Sequence, residues 1–72
     1  MTRKPDPLMV ALREARIQCG LSQAALGGLI ESDGGQVSHW ELGNRDLRLS
    51  SVRRMLDALG LDVLIVDKRP VR

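Results

Sequence analysis

Seventy-two residues make one small domain, and a chain of that length buries only about 60% of the surface its unfolded form exposes. A single cysteine (Cys19) and a single histidine (His39) exclude both a disulfide framework and a four-ligand structural zinc site. The net charge of +2 is mild but unevenly placed: residues 21–42 hold no Lys or Arg and three acids, Glu31, Asp33 and Glu41, while basic residues flank them on both sides. No apolar run approaches the roughly 20 residues of a membrane span and no signal-peptide core opens the chain, so the reading is a cytoplasmic protein with a reduced cysteine.

In chain order, residues 1–6 read as a flexible basic arm, with Arg3 and Lys4 as candidate phosphate contacts. Asp6 is a good N-cap and Pro7 suits the first helical position. Leu8, Ala11, Leu12 and Ala15 recur at helical spacing, and Gly20 is a natural stop, which predicts a first helix over 7–19. Cys19, at its end, is expected to be a small buried apolar side chain. Ser22 caps a second helix over 22–30, and Asp33 a third that ends near Leu42 before Gly43. GNRDLR is a polar loop. A fourth helix over 49–59 carries Leu49, Val52, Met55, Leu56 and Leu59 on one face, with Arg54 solvated, and stops at Gly60. LDVLIV is β-branched-rich and too short for a useful helix, so it reads as a strand that Pro70 limits.

Within this order, SQAALGGLIESDGGQVSHWELG at 22–43 is two short helices around a tight turn, with Leu26, Leu29, Ile30, Val37 and Trp40 facing one core. Trp40 follows Val37 by three residues and shares its face. This is the layout of a helix-turn-helix, whose second helix lies in the DNA major groove.

Residues 12–60 resemble the Cro/C1-type helix-turn-helix family of lambdoid phage repressors and bacterial regulators. The resemblance is carried by Gln23 opening the second helix, then Val37, Trp40, Glu41 and Gly43, an Arg-containing loop with Arg45, and LDALG at 56–60; RIQCGLSQAAL at 16–26 is close to the matching stretch of lambdoid repressors. It implies a mainly α, four-helix, lambda-repressor-like domain over 7–60. It further implies Gln23, Arg45 and Arg48 on the DNA backbone, the third helix offering Gly34, Gly35, Gln36, Ser38 and His39, and a structural ion pair between Arg16 and Glu41. The tail over 61–72 is similar to the C-terminal strand of antitoxins that partner Hip-type kinase toxins, which implies strand pairing across a homodimer and leaves a toxin open as a further partner.

Gly34 and Gly35 depart from the family pattern. Glycine reads no base, and each costs roughly 0.5–1 kcal/mol of helix stability relative to Ala; what it permits is backbone approach, so the two amides are expected at a phosphate. Direct readout then rests on Gln36, Ser38 and His39. Gln36 suits adenine, or else closes a capping box back to Asp33. Asp33-Gly34-Gly35 reads alternatively as a plain turn that delays the helix to Gln36, and His39 as a solvated surface residue.

Both faces of 61–66 are largely apolar. A lone strand leaves its backbone unpaired. Two copies pairing as an antiparallel ribbon through Val63, Leu64, Ile65 and Val66 would satisfy it and bury Leu64 and Val66 on the fourth helix; the alternatives are a longer helix or a segment folded back on its own domain. The function expected is repression by a homodimer on a palindromic double-stranded DNA operator, with half-sites about 34 Å apart. The alternative is a protein-interaction module of the same fold. No nucleophile–base pair, metal set or phosphate-binding loop suggests an enzyme, and no cofactor or metal is expected.

Overall fold

A computed structural model describes residues 4–68. Four helices follow one another: α1 (Pro7–Gln18), α2 (Gln23–Leu29), α3 (Gly34–Leu42) and α4 (Leu49–Ala58). Side-chain caps start the first three. Asp6 accepts from the Leu8 amide at 2.8 Å, Ser22 from Ala25 at 3.0 Å and Asp33 from Gln36 at 2.8 Å, each cap contributing about 1 kcal/mol. Because Asp33 caps a helix that begins at Gly34, the delayed-helix alternative does not hold.

All four helices close with the same device. Just past each helix, an amide bonds to the carbonyl five residues back: Leu21 to Arg16, Ser32 to Gly27, Asn44 to His39 and Leu61 to Leu56, at 3.1, 2.7, 2.9 and 2.8 Å. This is the Schellman pattern, which needs a left-handed residue at the turning point. Gly20, Gly43 and Gly60 supply it with φ of 73°, 79° and 69°. At the end of α2 the same position is held by Glu31, at φ 58°, the only non-glycine with positive φ among the described residues.

The core gathers Met9 and Leu12 of α1, Leu26 and Ile30 from α2 and its end, Val37 of α3, and Val52, Met55, Leu56 and Leu59 from α4 and its end. Leu21, Trp40 and Leu47 pack against it, partly buried. Helix α2 packs chiefly on α3, which also meets α1, while α4 touches α2.

Two expectations change, at Leu29 and Cys19. Leu29 is 60% exposed, because it lies about 100° round the helix from Ile30 and α2 is too short to bury a wide stripe. Cys19 is exposed, because it is the C-cap of α1 and Leu21 folds back against the core in its place. Arg54 is exposed overall, yet its Nη1 donates to the Ile30 carbonyl at 3.5 Å, tying α4 to the end of α2.

Residues 61–68 form no strand in the single chain and are exposed throughout. A strand needs a ladder partner, and none of the described residues supplies one. Leu61, Val63 and Ile65 line a cleft with Arg53, Leu56 and Asp57 of α4. Asp62 lines the same cleft, and in the single chain Leu64 and Val66, expected against α4 in a paired ribbon, are 84% and 69% exposed. Arg3 and Pro70 lie outside the described residues.

Candidate nucleic-acid interface

Helix α3 buries one side only. Val37 and Glu41 point inward, one turn apart. Gly34 is half-buried against α2: a Cβ there would stand 3.0 Å from the Cα and nitrogen of Ala24. Its lack of a side chain therefore lets the two helices approach. Gly35 is different. It is exposed, and the nearest atom to a Cβ would be its own cap, Asp33 Oδ1, at 3.1 Å.

The turn between the helices is as tight. A Cβ on buried Gly27 would come within 2.5 Å of the Asp33 carbonyl carbon and 2.8 Å of its Cα. The cap of α3 therefore rests on the backbone of α2, which fixes the two helices relative to each other.

Of the candidate base readers, His39 is exposed, while Gln36 and Ser38 are half-buried. Ser38 lies one turn beyond Gly34, on the side of α3 turned towards α2. The Gln36 Oε1 accepts from Arg45 Nη1 at 3.4 Å. Its side chain is thus turned to the loop rather than back to the helix start, unlike the capping-box alternative. Arg45 and Arg48 line one cleft with Gln36, Trp40, Asp46 and Ser51, so two guanidinium groups stand beside the outward face of α3. Lys4 lines a neighbouring cleft with Asp6, Trp40 and Arg45.

Gln23 is held by the last turn of α3. Its Nε2 donates to Glu41 Oε1 at 3.0 Å. Glu41, only 7% exposed, also receives Arg16 twice, from Nε at 2.7 Å to Oε2 and from Nη2 at 3.0 Å to Oε1. The third Arg16 nitrogen donates to the Leu21 carbonyl at 2.7 Å. Bidentate geometry and full hydrogen bonding are what a buried ion pair needs to offset desolvation, and no buried side-chain polar atom among the described residues lacks a partner. Arg13, with its side chain 53% exposed, stands 3.8 Å from Glu41 Oε1. Sequence reasoning passed over Arg13; its spacing of three from Arg16 puts both on one face of α1 and is the signal that finds it.

Among the described residues no helix is long and apolar enough to cross a membrane, and no group of three or more His, Cys, Asp or Glu is placed to hold a metal ion. No curated protein gives a significant match to the sequence. Residues 8–66 match the family model described as a helix-turn-helix domain. That span takes in all of α2, the turn and α3, and the chain belongs to the helix-turn-helix domain family.

Proposed function

We propose that this chain is a sequence-specific, double-stranded DNA-binding regulator of the cytoplasm that represses by occupying its operator as a homodimer. The observation that carries the reading is the one-sided packing of α3. Its inner side is packed on α2, while Gly35 and His39 are exposed and Gln36 is half-buried, with Gln23 bonded to Glu41 and Arg45 to Gln36. A helix held this way inserts into a major groove as a rigid body. Gln36, Ser38 and His39 read base edges. Gln23, Arg45, Arg48 and the amides of Gly34 and Gly35 hold phosphates and set affinity and its salt dependence.

The homodimer rests on the tail. Val63, Leu64, Ile65 and Val66 are exposed apolar side chains in sequence, and a second copy pairing with them as an antiparallel ribbon would cover them and satisfy their backbone. Two copies then present two α3 helices to a palindromic operator, half-sites about 34 Å apart. An antitoxin setting adds a toxin protein to the partners; a phage or host regulator does not require one.

The competing reading is a protein-interaction module, favoured by one observation: residues 21–42 offer no Lys or Arg. Selection on random duplex at near-physiological salt separates the two. An inverted repeat among recovered sites supports the regulator, and no enrichment from folded protein supports the module. On a recovered site, Gln36→Ala is expected to lower specific affinity by about 1–3 kcal/mol while leaving binding to random duplex unchanged. Equal losses on both would remove Gln36 from base reading.

A further inference from the structure

The geometry points to Arg13 as a phosphate-backbone contact, set beside Gln23 at the junction of α1 and α2 by the carboxylate of Glu41. This rests on the DNA-binding reading above and adds a residue to it.

Charge accounting comes first. Glu41 gives both oxygens to Arg16, at 2.7 and 3.0 Å, so one carboxylate is already neutralised by one guanidinium. Arg13 reaches only 3.8 Å from Oε1, beyond hydrogen-bond range, and a half-exposed pair at that distance contributes little. Its positive charge is therefore left over. The second point is convergence. Gln23 Nε2 sits 3.0 Å from that same Oε1, so the Arg13 guanidinium and the Gln23 amide flank a single atom. The third is scarcity. Residues 21–42 contain no Lys or Arg, so a cation next to the first turn of α2 has to come from another element, and α1 brings it. A phosphate oxygen arriving here exchanges the long contact to Glu41 for a short, charge-assisted one. The pair formed by Arg16 and Glu41 stays intact beneath it.

Fluorescence anisotropy with a labelled random-sequence duplex, titrated at several salt concentrations, tests this, because backbone contacts act on any sequence. Arg13→Ala is expected to reduce the slope of log K against log salt by about one unit, with the melting temperature unchanged. Arg13→Gln keeps the aliphatic stem and is expected to show the same loss, which covers a failure of the alanine variant to fold. Arg13→Lys is expected to keep the slope. Arg53→Ala removes the same charge beside residues 61–65 and is expected to leave the slope unchanged. A wild-type slope in both neutral Arg13 variants overturns the inference. So does an equal drop in Arg53→Ala, since that reports net charge alone. Wild-type protein that binds no duplex overturns the DNA-binding reading itself, and the inference with it.

Discussion

Residues 22–43 and residues 61–68 are both apolar-rich, and the fold treats them in opposite ways. In the first, the inward apolar side chains are buried, each helix start has a side-chain cap, and the one buried carboxylate is answered by a buried guanidinium. In the second, every residue is exposed, and Ile65 reaches 93%. The chain satisfies the first region by itself and leaves the second to something else. Among the described residues no core residue lies beyond Leu59, so the domain is expected to fold without the tail, whereas the tail has only α4 or another chain to pack on.

The comparison breaks most severely at Glu41. Glu41→Ala leaves Arg16 buried without its counter-charge and is expected to cost about 3–5 kcal/mol, most or all of the stability of so small a domain. Urea unfolding followed by circular dichroism reads this directly, and a loss under 1 kcal/mol would show that the pair matters little. Ending the chain at Gly60 tests the other side. The truncated protein is expected to keep its helical circular dichroism and to sediment as a monomer where the full chain sediments as a dimer. Loss of the helices on truncation would contradict the independence of the core.

Gly27→Ala puts a methyl group against the Asp33 backbone and is expected to cost about 1–3 kcal/mol, read by the same urea experiment. The smallest effect works in the stabilising direction. Glu31→Gly relieves a left-handed conformation that costs an L-residue roughly 1–2 kcal/mol. Glycine's extra freedom in the unfolded chain gives part of this back, so the expected net gain is under about 1 kcal/mol, or a few degrees in Tm. A fall in Tm would mean that the Glu31 side chain contributes more than its backbone strain costs.

Local chemistry made much of the fold legible. Asp6, Ser22, Asp33, Gly20, Gly43 and Gly60 mark helix ends because a cap or a left-handed turn depends only on a few neighbouring residues. Glu31 escaped notice for the complementary reason: its conformation is imposed by the turn between α2 and α3 and is not advertised by its residue type. Leu29 and Cys19 misled because apolar character does not say how wide a buried stripe a short helix needs. Gly34 and Gly35 look alike in sequence, yet one is held by Ala24 and the other is open, a distinction that only tertiary packing makes. The same holds for Gln23, whose amide is anchored by a carboxylate eighteen residues further along the chain.

Trp40 has a practical consequence. The chain contains no Tyr or Phe, so its ultraviolet fluorescence comes from one indole. That indole touches the core on one side and lines the cleft of Gln36, Arg45 and Arg48 on the other. The protein thus carries a built-in optical reporter at its candidate interface, and any ligand that displaces water from that cleft registers in the emission of the unlabelled chain.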